Sequence, residues 1–131
     1  QLFYVVLLLS GMAVVKKVGN LVYMIRNHEL GSVNEGPPLN KCGPNDSTDC
    51  VFNPGAIGGT TTLVFDLELE KFVEHYASLG GTIRNCAGGL TPWGSWLSME
   101  ETFSERDGVS HGWVFDVPYD GPANGEPVKA A

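Results

Sequence analysis

Basic residues are scarce in this sequence and nowhere clustered. Its 131 residues include 8 lysines and arginines against 15 aspartates and glutamates, which gives a formal net charge of -7. Binding to nucleic acid or to an anionic membrane surface depends on clustered lysine and arginine side chains. The composition therefore argues against both kinds of partner, and it suits a soluble protein or one that attracts cations.

Long apolar runs are also missing. The longest, QLFYVVLLLSGMAVV at residues 1–15, is interrupted at Ser10 and Gly11, whereas a membrane-spanning helix needs about 20 apolar residues. A signal peptide would need an initiating methionine and a basic leading region. We therefore predict no membrane span here, but a two-strand hairpin that turns at Ser10 and Gly11. Because the chain begins at Gln1 and its end, GEPVKAA, contains no terminating element, we expect an interior fragment of a longer protein, with any export signal upstream.

Only three cysteines are present, and no two of them form a CxxC pair. The sequence therefore lacks the usual ligand pattern of a four-ligand zinc site. Cys42 and Cys50 flank a polar loop, GPNDSTD. They could form a disulfide in an oxidising compartment, and two unpaired loop thiols are the alternative. Cys86 is then the odd cysteine, in different surroundings.

Other catalytic signatures are absent as well. The sequence contains no P-loop, no dinucleotide-binding glycine pattern, no GxSxG elbow and no EF-hand loop. In CAGGLTPWG no arginine follows Cys86 to close a phosphate-binding loop around a cysteine nucleophile, and no histidine lies beside it. Metal coordination is therefore the leading functional use of this thiol. The alternative is a small buried residue, which is what most free cysteines are.

Four segments are rich in β-branched and aromatic residues, and connectors rich in glycine, proline and asparagine separate them. They predict strands at residues 21–27, 60–67, 81–86 and 112–118. The segment DLELEKFVEHYASLG could form a helix, but a hairpin that turns between Leu67 and Lys71 suits its neighbours better. This repetition of strand, turn and strand predicts an all-β fold, either blade-like or a sandwich.

Three glutamates could complete a metal site with Cys86. Glu100 and Glu101 are adjacent, so on a regular strand their side chains point to opposite faces. Either the chain bends there, or one of them binds metal while the other orients a neighbouring ligand or holds a second ion. Glu29 follows a strand in IRNHEL, at a position where functional residues concentrate. The alternative is that all three are solvated acidic residues.

In their order along the chain, the segments RNHEL, GGTTTLVFD, YASLGGTIRNCAGGLTPWGSWLSMEET and HGWVFDVP resemble the PhoX-like alkaline phosphatases. This group is also described as a domain of unknown function in secreted bacterial proteins. The resemblance extends from about Met12 to Pro127, with departures at Met99, where a cysteine is expected, and at Gly80, where an alanine is usual. It implies that residues 1–131 are an incomplete part of one β-propeller phosphatase domain, roughly two blades.

The resemblance also implies the chemistry of the site. It suggests hydrolysis of phosphate monoesters with iron and calcium, and by motif position it makes Cys86 the iron-binding thiolate and Glu29, Glu100 and Glu101 metal ligands. A soft thiolate suits a transition metal and hard carboxylates suit calcium. Either Arg84 or Asn85 could donate hydrogen bonds to phosphate, and strand parity places only Arg84 on the face of Cys86. A structural salt bridge is the alternative role of Arg84.

Several expectations about the whole protein follow from the same resemblance. The substrate would be a small phosphate monoester, the full-length protein would be a monomer, and the location would be periplasmic or secreted. The fragment by itself is expected to be inactive. The alternative function is a non-catalytic extracytoplasmic propeller that binds calcium or a protein partner.

Overall fold

The structure is a computed structural model, and it describes residues 11–32 and 34–129. Within these residues the chain forms nine β-strands and no helix, which confirms the all-β prediction. The strands build a four-stranded sheet, a three-stranded sheet and a two-stranded ribbon, all antiparallel. The hairpin predicted at Ser10 and Gly11 would need a strand within residues 1–10, which lie outside the described part of the chain.

The four-stranded sheet follows the order of the sequence, and its strands are β1 (Met12–Val18), β2 (Leu21–His28), β3 (Gly58–Asp66) and β4 (Lys71–Thr82). The second sheet has the order β5-β6-β9, and its strands are β5 (Asn85–Leu90), β6 (Ser95–Glu100) and β9 (Val114–Pro118). Between β6 and β9 the ribbon consists of β7 (Glu105–Arg106) and β8 (Val109–Ser110).

The apolar core lies between the four-stranded sheet and strand β9. The alternation of side chains along each strand directs one face of each sheet inward. The buried side chains that pack together there come from β1, β2, β4, β9 and the segment after β9: Val15, Ile25, Leu79, Phe115, Val117 and Ala123. This core fixes the two sheets against each other, and it therefore fixes the loops where their strands end.

The hairpin predicted between Leu67 and Lys71 is confirmed. The Asp66 carboxylate accepts hydrogen bonds from the N–H groups of Glu68 (2.8 Å) and Leu69 (3.0 Å), which closes the turn. A helix over this segment would bury Leu69 as part of its apolar face, but Leu69 is 57% exposed.

The continuous strand predicted over residues 81–86 is wrong. Strand β4 ends at Thr82 and β5 begins at Asn85, because Arg84 takes the left-handed conformation with φ 53°. A non-glycine residue in that conformation occurs in a turn, not within a strand. The parity argument that placed Arg84 and Cys86 on one strand face therefore does not apply.

A disulfide joins Cys42 to Cys50 in the long connector between β2 and β3. The two Cα atoms are 6.1 Å apart, and both side chains are buried. The connector is also tied to β4, because the Gly80 N–H donates to the Cys50 carbonyl (3.1 Å) and the Phe52 N–H donates to the Gly80 carbonyl (3.0 Å).

Replacing Cys42 and Cys50 together by alanine should lower the free energy of unfolding by about 2.5 kcal/mol, the chain-entropy value for a loop this short. Urea denaturation in chelator measures the effect. Cys86→Ala is the matched control, because this thiol is exposed and not in a disulfide, and its free energy of unfolding should stay within about 0.5 kcal/mol of the parent. Equal stability of the parent and the double variant would contradict the expectation.

Candidate metal centre

Three side chains far apart in the sequence converge where the strands end. Glu29 lies just after β2, Cys86 lies in β5 and Glu101 lies just after β6. Their ligand atoms, one oxygen from each carboxylate and the cysteine Sγ, all lie within 4.8 Å of one another, and all three residues are exposed. Within residues 11–32 and 34–129 this is the only such group of three metal-ligating side chains.

The backbone of Arg84 connects the three segments that carry these side chains. Its N–H donates to the carbonyl of Leu30 (3.1 Å), the residue after Glu29, and its carbonyl accepts from the N–H of Glu101 (2.9 Å). Cys86 follows two residues later in the chain. The left-handed turn at Arg84 therefore fixes the relative positions of all three candidate ligands.

The spacing and chemistry of these donors fit a metal ion. Metal–oxygen distances of about 2.0–2.2 Å and metal–sulfur distances near 2.3 Å place two donors of one ion at most about 4.5 Å apart. The observed limit of 4.8 Å is only slightly larger, and exposed side chains can rotate to close the difference. A thiolate with two carboxylates combines a soft ligand with hard ones, which suits a transition metal better than calcium by itself.

The surroundings of Cys86 favour the neutral thiol when no cation is bound. Partial burial raises the pKa of the Cys86 thiol, and hydrogen bonding to Glu29 and the negative charges of Glu29 and Glu101 raise that pKa further. A bound cation reverses this balance, since it stabilises the thiolate and offsets the repulsion between the two carboxylates.

Glu100 lies on the opposite side of the chain from Glu101 and is buried. Its Oε1 accepts from the Ile83 N–H (2.8 Å) and from His111 Nδ1 (2.6 Å). Its Oε2 accepts from the N–H groups of Gly112 (2.6 Å) and Trp113 (3.0 Å). The adjacent glutamates are thus divided between two faces. Glu101 joins the cluster, whereas Glu100, predicted as a metal ligand, anchors the turn before β5 and the segment before β9.

Asn85, predicted as a catalytic donor, is fully buried. Its Nδ2 donates to Ser98 Oγ (2.9 Å), and its Oδ1 accepts from the Thr82 hydroxyl. Because both ends of the amide make hydrogen bonds inside the protein, the side chain holds the β4–β5 turn, and its full burial keeps it out of reach of a phosphate. Arg84, the other predicted donor, is exposed, and its Nε lies beside Gly31, where an added Cβ would be 3.0 Å away.

Sequence reasoning missed His111 and Asn53. His111 is buried, and its Nε2 lies 3.0 Å from the side-chain nitrogen of Asn53, while its Nδ1 contacts Glu100. The two residues are 58 positions apart and belong to no recognisable motif. No local signal in the sequence indicates this network, since only the tertiary fold brings its members together.

Neither the curated proteins nor the solved structures contain a match to this chain. Among the residues that the structure describes, no helix has the length and apolar character needed to cross a membrane. The family described as "Alkaline phosphatase PhoX" matches residues 65–131, slightly more than half of the chain, and this span includes Cys86 and Glu101. The chain therefore belongs to the alkaline phosphatase PhoX family.

Proposed function

We propose that this chain contributes part of the active site of a metal-dependent phosphatase that hydrolyses small phosphate monoesters. The family assignment supports phosphatase-type chemistry. The single observation that carries the proposal is the convergence of Glu29, Cys86 and Glu101 within 4.8 Å. In this proposal Cys86 binds iron as a thiolate, and the carboxylates share that ion or hold calcium beside it.

The residues of this chain have distinct roles in the proposed reaction. Cys86, Glu29 and Glu101 would hold the metal ions, which would supply positive charge to offset the phosphoryl oxygens and to activate an oxygen nucleophile. The exposed Arg84 guanidinium would donate two hydrogen bonds to the phosphate and orient it. Glu100 acts at a distance from the substrate, because it holds the peptide N–H groups on which the positions of Arg84 and Glu101 depend.

We further propose that the chain is roughly two blades of a larger β-propeller, in which each blade is a four-stranded antiparallel sheet. The sheet β1-β2-β3-β4 has the strand number and order of such a blade, and β5-β6-β9 would be part of the next. The disulfide between Cys42 and Cys50 supports a periplasmic or secreted location, because disulfides persist in oxidising compartments.

Removing the metal from the full-length protein should lower its rate on p-nitrophenyl phosphate by about 100-fold or more, since metal ions contribute several kcal/mol to such transition states. Release of p-nitrophenol is followed before and after chelation, and again after iron and calcium are restored separately and together. Elemental analysis of the purified protein accompanies the assay. Full activity after complete removal of metal would reject the proposal. A protein that contains calcium but no iron and does not hydrolyse the ester would favour the non-catalytic propeller.

A further inference from the structure

Asn27 is a buried amide that uses its entire hydrogen-bonding capacity. Its Nδ2 donates to the carbonyls of Cys86 and Ala87, both at 3.2 Å. Its Oδ1 accepts from Trp96 Nε1 (3.1 Å) and from Ser98 Oγ (2.9 Å). Two donor hydrogens and two lone pairs are all that a carboxamide offers, so every polar contact of this side chain is directed at the second sheet.

The position of Asn27 connects two of the candidate metal ligands. It lies in β2 only two residues before Glu29, and its side chain contacts the backbone of Cys86 in β5. Strands β2 and β5 belong to different sheets. The Asn27 side chain thus bridges the sheets beside the cluster, where the end of β2, just before Glu29, contacts β5, which carries Cys86.

A buried amide at this position is informative because an apolar side chain would fill the same space without the cost of desolvation. The ligand side chains themselves are exposed, so their own packing does not fix them. A metal site requires its donors to be placed within about 0.5 Å, which the surrounding residues must ensure. A hydrogen bond to the Cys86 carbonyl restrains the peptide that carries the thiol.

We propose that Asn27 is a positioning residue for the metal site: its carboxamide fixes the peptide of Cys86 relative to Glu29 and so sets the separation of the thiol and the carboxylate. The inference rests on the proposed function, in which both side chains bind metal. Asn27 itself touches neither Sγ nor the Glu29 carboxylate, and its effect is transmitted through the backbone of Cys86.

Asn27→Asp tests the role, because aspartate has the same shape and keeps the oxygen that accepts from Trp96 and Ser98. It places a second oxygen against the carbonyls of Cys86 and Ala87, which lose their donor. In full-length protein loaded with Co²⁺ as the probe, the affinity should fall about 10- to 100-fold, as for other residues that orient metal ligands. The thiolate-to-cobalt charge-transfer absorption should also shift or weaken at saturating Co²⁺. Asn27→Ser, whose hydroxyl is too short to reach β5, serves if the aspartate variant does not fold.

Trp96→Phe is the matched control. It removes one hydrogen bond to Oδ1, but Ser98 still orients the amide and Nδ2 still donates to both β5 carbonyls. The affinity for Co²⁺ and the absorption should therefore remain unchanged. A folded Asn27 variant with the parent's affinity and spectrum would overturn the inference, as would an equal loss in Trp96→Phe. The proposed function is tested separately by the parent and Cys86→Ser. Absence of a thiolate band in the parent, or the same band in both proteins, would reject metal binding by Cys86 whatever the Asn27 variants do.

Discussion

Full-length protein with serine in place of Cys86 should lose iron and hydrolyse p-nitrophenyl phosphate at least about 100-fold more slowly, a change of about 2.7 kcal/mol or more in transition-state free energy. Serine keeps the size of the side chain and removes its chemistry. A hydroxyl is far harder to deprotonate than a thiol and is a poor ligand for a soft metal site. Because Cys86 is exposed and not in a disulfide, the substitution should leave the fold intact.

The measurement combines metal content with kcat and KM, determined over a range of p-nitrophenyl phosphate concentrations. The Cys42→Ala/Cys50→Ala double variant is the control, because it also removes sulfur but from buried positions within the connector between β2 and β3. Below its melting temperature it should retain metal and activity while it loses stability. Full iron content and full activity in Cys86→Ser would show that the thiol is not a ligand.

Strands β2 and β3 and the first part of β4 could be predicted because their determinants are local. Alternating apolar residues and a turn closed by Asp66 specify the hairpin of β3 and β4 without reference to the rest of the chain. The apolar spacing of these residues also fits a helix. The hairpin is preferred because the neighbouring segments are strands. In the last strand the prediction began at Gly112, but β9 begins at Val114, because the N–H groups of Gly112 and Trp113 bind the Glu100 carboxylate instead.

The break between β4 and β5 could not be predicted because its causes are distant in sequence. The Ile83 N–H donates to Glu100, 17 residues away, and the Arg84 N–H donates to the carbonyl of Leu30, just beyond the end of β2. Nothing in the local sequence TIRNC signals a left-handed residue. The local sequence therefore predicts a continuous strand with Arg84 and Cys86 on the same face. The turn at Arg84 interrupts the alternation on which that prediction depends.

The candidate site could be predicted only in part. The alternation of side chains predicted that Glu100 and Glu101 would face opposite ways unless the chain bent, and they do. Which of the two would be buried depends on His111, whose imidazole reaches Glu100 only through the ribbon β7–β8 and its connectors. Glu29, Cys86 and Glu101 could be named as candidates from residue type and resemblance, but their proximity is a property of the tertiary fold.

Replacing Glu100 and replacing Glu101 by alanine should have different effects: the first on the free energy of unfolding, the second on metal binding. In chelator, Glu100→Ala should lower the free energy of unfolding by about 3–5 kcal/mol, because several buried N–H donors would lose their acceptor at about 1–3 kcal/mol each. Its side chain is fully buried and accepts four hydrogen bonds, so the substitution leaves three peptide N–H groups and His111 without an acceptor. Glu101→Ala, at an exposed position, should change that free energy by less than about 0.5 kcal/mol.

Metal binding provides the second half of the comparison. Glu101→Ala should weaken binding of Co²⁺ by about 10-fold or more while the protein stays folded, because one donor of the cluster is gone. Glu100→Gln keeps the size of the side chain but turns an NH2 group toward N–H donors, so it should lose much of the stability that Glu100→Ala loses. His111→Gln, which removes one of the four donors, should have a smaller effect than either. If Glu100→Ala retained full stability in chelator and lost only metal, then Glu100 would be a ligand, and the division of roles between these two adjacent carboxylates would be wrong.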